Sequence, residues 1–82
     1  MSQTREDVLP RILSMVTAIG TIRHVEPDED FYDVGFSSLK ALQLLMELEE
    51  EFDVVIPDDD FVAARTGTSL HALVSRLIRE RR

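Results

Sequence analysis

The stretch "DVGFSSLKALQLLMELEEEF", residues 33–52, decides how this chain is read. A glycine turn and two adjacent serines lead into a run of Leu, Met, Lys, Gln and Glu, residues that lose little freedom in a helix. At about 100° per residue, Ala41, Leu44, Leu45, Leu48 and Phe52 fall on one side and form a core stripe. Leu39, Leu42 and Met46 fall on a different side. A helix in a small bundle needs only the first stripe. The second is therefore expected to be partly exposed as an apolar ridge, the alternative being that a neighbouring helix or the preceding loop covers it. Glu47, Glu49 and Glu50 border it, and the flexible thioether of Met46 suits a ridge that meets varied surfaces.

The two serines have different expected roles. Ser37 is placed to cap the helix, satisfying N–H groups that have no intrahelical partner. Ser38 then becomes the first helical residue, with its hydroxyl pointing outward. A helix N-terminus favours an anion, so a phosphodiester on Ser38 would sit there comfortably. Nothing activates either serine as a nucleophile. His24 and His71 lie in a loop and in the last helix, and no Ser–His–Asp order or nucleophile elbow is present. No catalytic group converges elsewhere, so the chain reads as a non-enzyme. Neither "PDED" nor "PDDD" has the spacing of a calcium loop, and no metal is expected.

Working outward, Val8, Leu9, Ile12, Leu13, Val16 and Ile19 mark a first helix ended by Gly20. Its start is open. With Thr4 as the cap, Pro10 lies inside the helix and costs a hydrogen bond; with Asp7 as the cap, Pro10 falls harmlessly in the first turn. Residues 21–36 form a long connection, of a length that is often functional, with Ile22, Val25, Phe31 and Val34 to pin it to the core. The helix bearing the serines begins near Ser37 or Ser38 and runs to about Asp53. "IPDDDFVAA" predicts a turn and a short helix ended near Gly67. Thr68 is then expected to cap a last helix with Leu70, Leu73, Val74, Leu77 and Ile78 on one face. The closing "RERR" complements that helix's dipole. "FDVVIP" is short and β-branched but has no partner to pair with. The expected fold is all-α: one domain over residues 1–82, a small four-helix bundle with a long first loop and a short third helix.

Composition narrows the function. With 82 residues and no cysteine, neither disulfides nor thiolate–metal sites hold the core. No apolar run is long enough for a membrane span, and "MSQTREDVLP" lacks the apolar core of a signal peptide, so a monomeric cytoplasmic protein is expected. A net charge of -7 argues against nucleic acid. Residues 26–60 hold 13 of the 16 acids and one base, Lys40. That concentration is either an ordinary solvated surface or a docking face for basic partners.

"DVGFSSLKALQLLMELEEEFDVVIPD" resembles the central segment of acyl carrier proteins and the related peptidyl and aminoacyl carrier domains. "DVGFSSL" corresponds to the family's serine turn, "LEEEF" to the acidic end of its helix, and "IPDDD" to the segment that follows. The resemblance covers essentially the whole chain. It implies that Ser38, the residue before Leu39, carries 4'-phosphopantetheine, attached by a separate phosphopantetheinyl transferase, and that the cofactor thiol holds an acyl or aminoacyl cargo as a thioester. It further implies a cargo-loading ligase or acyltransferase and a downstream transferase or synthase as partners, met through Leu39, Leu42, Met46, Glu47, Glu49 and Glu50. Any shelter for cargo would lie among Leu44, Leu45, Leu48 and Phe52, which also serve simply as core. The departures from the fatty-acid-type pattern are Ser37 in place of an aspartate, and Lys40 and Gln43 where acids are common. They point to a free-standing carrier of a specialised biosynthetic pathway, with Lys40 setting partner class. The competing reading is a small acidic helical adaptor that binds a basic protein without covalent modification.

Overall fold

A computed structural model describes residues 5–80. Four helices follow one another: α1 (Arg5–Gly20), α2 (Ser38–Phe52), α3 (Asp58–Ala63) and α4 (Gly67–Glu80), with one 3-10 turn (Phe31–Val34) inside the long first connection. α1 packs against both α2 and α4, and α3 packs against α4. Ile12, Val16, Leu44, Leu48, Leu70 and Val74 are fully buried where the apolar stripes of the three long helices meet. Among the described residues the only extended pairing is an isolated bridge between Asp30 and Thr66. The all-α bundle expected from the periodicity is therefore the one that forms, because each long helix carries an apolar stripe that only another helix is present to cover.

Several local expectations need correction. α1 is already helical at Arg5, so Asp7 is not its cap, and Pro10 stands inside the helix on its exposed side. The proline costs one backbone bond, and the stripe from Val8 to Val16 outweighs it. Thr4, the other candidate cap, and Arg81 and Arg82 of the closing run lie outside the described residues. α3 stops at Ala63, before Gly67, which instead opens α4 at a spot where a Cβ would collide with Leu13. The cap of α4 is Thr66 rather than Thr68: its Oγ1 accepts the Ser69 N–H at 3.0 Å. Thr68 reaches across to the first connection, where its N–H and hydroxyl both donate to the Pro27 carbonyl. On α2, Ala41, Leu44, Leu48 and Phe52 are buried, but Leu45 is only half-buried, at the edge of the stripe.

The segment after α2 shows what "FDVVIP" does without a strand partner. Its side chains alternate, Val54 and Ile56 inward and Val55 and Pro57 outward, as in any extended chain on an apolar surface. Asp53 makes the reversal in the left-handed region, φ 55°, and its N–H closes α2 on the Glu49 carbonyl.

Candidate functional site: the serine turn and the exposed face of α2

The serine turn is built from three backbone choices. Gly35 adopts φ 105°, a conformation that side chains resist, and its N–H closes the 3-10 turn on the carbonyls of Phe31 and Tyr32. Phe36 then drops into the core, with its N–H on the Phe31 carbonyl at 3.1 Å. Its ring lies 5.8 Å from that of Phe31 and meets Tyr32 edge-on at 6.4 Å. Ser37 follows in an extended conformation and caps α2: its Oγ accepts the Lys40 N–H at 3.2 Å and its carbonyl accepts the Ala41 N–H at 2.8 Å. Ser38 is the first residue of α2 and is exposed. The expected division of labour is the one observed: Ser37 occupies the helix end, and the Ser38 hydroxyl is left to solvent.

Phe36 was not among the residues expected to anchor the long connection. A signal for it does exist in the sequence. An apolar residue directly before a helix cap, with a second apolar residue at the fourth helical position (here Ala41), is the pattern of a hydrophobic staple.

The end of α1 lies against this turn. Thr21, not Gly20, carries the left-handed backbone, φ 54°. The Ile22 and Thr21 N–H groups return to the carbonyls of Thr17 and Ala18 at 3.0 and 3.4 Å, which is a Schellman closure. Gly20 ends the helix as expected but for another reason. A Cβ there would lie 2.9 Å from the Phe36 ring and 2.8 Å from Ile22. The Ile19 carbonyl receives the Lys40 ammonium at 3.2 Å in a partly buried contact. Lys40 is therefore turned toward the end of α1 rather than standing free in solvent.

A second clasp holds the first connection to the α3–α4 loop. The Arg65 Nε donates to Asp30 Oδ2 at 2.7 Å, and the Phe31 N–H donates to the Arg65 carbonyl at 2.8 Å. The guanidinium also stands over the Tyr32 ring, 4.5 Å from its centre. The hydrogen bond from Arg65 holds the Asp30 carboxyl below the usual carboxylate range, and the Asp30 carboxylate raises Arg65 in turn. Arg65, Tyr32 and Phe36 thus form a packed series running from the α3–α4 loop to the serine turn.

On α2, Leu39, Leu42 and Met46 are 77, 52 and 60% exposed, so no neighbouring helix or loop covers them. With Ser38 taken as the origin, Leu39, Met46 and Glu50 fall about 100, 80 and 120° around the helix, opposite the buried stripe. Val55 and Val62, which the sequence reading did not single out, are exposed as well. The acids divide. Glu47 and Glu50 face solvent and line an open groove of about 690 Å³ between α1 and α2, beside the Arg11–Glu51 ion pair. Glu49 does not belong with them: it is half-buried, and its Oε2 accepts the Ile56 N–H at 2.9 Å. Its carboxylate tacks the extended segment back onto α2. Leu44 and Leu48, named as walls of a cargo shelter, are completely buried and serve as core. Among the described residues no group of His, Asp or Glu is placed to hold a metal ion, and no helix is long and apolar enough to cross a membrane.

Known proteins resemble this chain in sequence and in fold. The sequence matches the family described as "Phosphopantetheine attachment site" over residues 8–77. It is 46% identical over 50 residues to an acyl carrier protein of Chlorobium phaeovibrioides, covering 60% of this chain and 62% of that protein's own length. The match to an acyl carrier protein of Cyanidioschyzon merolae is 32% over 82 residues, covering 96% of this chain and 87% of the relative. In three dimensions the chain superimposes with a TM-score of 0.82 on a chain from the solution structure of a non-covalent extended docking domain complex of the Pax NRPS (PaxA T1-CDD/PaxB NDD). That match covers 95% of this chain and 79% of the other at 21% identity, a likeness of fold. With the family match spanning all four helices and a helix-capped, solvent-facing serine at the head of the second, this chain belongs to the acyl carrier protein family, whose covalent prosthetic group is 4'-phosphopantetheine.

Proposed function

We propose that this chain is a single carrier domain whose Ser38 bears the 4'-phosphopantetheine, and that it holds an acyl or aminoacyl group for enzymes of a specialised biosynthetic pathway in the cytoplasm. The protein is non-catalytic in this reading, and the chemistry belongs to its partners. The observation that carries it is the position of Ser38: exposed, first in α2, directly after a serine that already caps the helix. The residues present fit the group. An exposed hydroxyl offers the attachment oxygen, and the N-terminal end of α2 favours the phosphodiester charge. When attached, the cofactor supplies a terminal thiol that carries the cargo as a thioester.

The chain's own contribution is presentation. Ser37 fixes the first turn of α2, and Gly35 and Phe36 set the direction from which the chain enters it. Leu39, Leu42 and Met46 offer an apolar footing on the Ser38 side of α2, and Glu47 and Glu50 supply charge about two and a half and three turns along the helix from Ser38. Such a surface suits brief docking to a phosphopantetheinyl transferase, a loading ligase or acyltransferase, and a downstream transferase or synthase. Charge speeds encounter, and a few apolar contacts set the register. The absence of acids beside Ser38, where Ser37, Lys40 and Gln43 stand, supports partners other than fatty-acid-type enzymes.

Incubation with coenzyme A and a broad-specificity transferase tests the reading. Intact mass should rise by one phosphopantetheinyl group on wild-type protein and on Ser37→Ala, and not on Ser38→Ala. Peptide mapping that places the group on Ser37 overturns the assignment. No mass change with several transferases favours the unmodified adaptor.

A further inference from the structure

Lys40 is the one base in the acidic middle of the chain, and its ammonium is turned away from the exposed face of α2. It sits on the Ile19 carbonyl, one of the last carbonyls of α1, which has no acceptor role left inside its own helix. The negative end of the α1 dipole favours a cation there. The same residue's N–H is the donor that Ser37 Oγ accepts. Lys40 thus joins two elements at once: its backbone completes the first turn of α2, and its side chain fastens that turn to α1. Around it the fit is close, since at Gly20 there is no room for even a Cβ against Phe36 and Ile22.

We propose that Lys40 is a positioning residue for Ser38. Its ammonium clamps the first turn of α2 to the C-terminal end of α1, so that the serine hydroxyl is presented to the transferase in one fixed direction. This rests on the attachment reading above. Two arms separate the failure of one from the failure of the other.

The first arm needs no transferase. In the unmodified protein, Lys40→Met should speed hydrogen exchange at the amides of residues 40 and 41 on the order of 10-fold, the loss expected for a charged hydrogen bond. Exchange in α4 should be unaffected. Lys40→Arg should restore protection. The second arm reads phosphopantetheinyl transfer. Lys40→Met should lower kcat about 5-fold with KM unchanged, because the reacting oxygen is misplaced while the docking face is intact. Lys40→Arg should recover most of the rate. Ile12→Val, a mild core change in the middle of α1, should lower the melting temperature without lowering kcat. Unchanged exchange in Lys40→Met overturns the clamp. A loss carried by KM and erased by salt would make Lys40 a partner contact and overturns the positioning role. A loss equalled by Ile12→Val would reduce it to general stability, with the same consequence. If wild-type protein takes no group on Ser38, the attachment reading falls, and the exchange arm still decides whether Lys40 holds the turn.

Discussion

The two ends of α2 are fastened by the same device with opposite charge. At the N-terminal end the Lys40 ammonium crosses to the Ile19 carbonyl of α1, and Phe36 is the buried anchor just outside the helix. At the C-terminal end the Glu49 carboxylate accepts the Ile56 N–H, and Ile56 is itself the buried anchor. Each charged residue sits one turn inside its helix end and satisfies a backbone group from another segment. By sequence, Glu49 belongs to the set expected to meet partners, and Lys40 reads as setting their class. The difference lies in what each end holds. The first fixes a turn that presents a hydroxyl; the second fixes only the path of the chain toward α3. Disturbance at the first end should therefore reach function, while disturbance at the second should be confined to stability.

The largest effect expected from breaking this symmetry is at the anchors. Phe36→Ala removes a buried ring packed on two other aromatics and should cost about 3–5 kcal/mol. That is a large part of the stability of a domain this small. Urea denaturation should show it as a lower midpoint. Ile56→Ala should cost about 2–5 kcal/mol by the same assay. Per unit of stability lost, only Phe36→Ala should slow modification of Ser38, measured in buffer where both variants stay folded. Equal slowing by both would remove the functional distinction between the ends.

A smaller effect separates the acids of α2. Glu49→Ala leaves the Ile56 N–H without its acceptor and should cost about 1–3 kcal/mol, whereas Glu50→Ala should stay within about 0.5 kcal/mol. Matched urea melts of the two variants check this directly. Equal costs would mean that the Glu49 contact contributes nothing in solution.

The smallest change in stability, and the sharpest test of the exposed face, is a double charge reversal, Glu47→Lys with Glu50→Lys. Both carboxylates face solvent, so the melt should hardly move. Association with a basic partner enzyme should slow at low salt, and the deficit should shrink as salt rises, since exposed charges are screened over about 10 Å at 0.1 M. Stopped-flow rates across a salt series give the answer. Unchanged rates at low salt would assign these acids to solubility alone.

Much of the molecule was legible because it depends on short-range chemistry. Apolar spacing along 8–19, 41–52 and 70–78 fixes three helices, since a stripe at helical period must be buried and only other stripes are available. Ser37 as cap and Ser38 as an outward-facing first residue follow from the order of two hydroxyls before a helix-forming run, a matter of a few backbone bonds. The exposure of Leu39 and Met46 follows from the same angular geometry. Tertiary structure alone decided which charged side chains stay in water. Lys40 and Glu50 both read as surface residues, and Glu49 differs from Glu50 by one position. Yet Lys40 and Glu49 turn inward because a carbonyl of α1 and an N–H of residue 56 arrive beside them from elsewhere in the chain. The placement of Thr66 rather than Thr68 as a cap, and of the left-handed turn at Thr21 rather than Gly20, has the same origin. A long-range neighbour, Pro27 for Thr68 and Phe36 for Gly20, claimed the residue that local preference would have used.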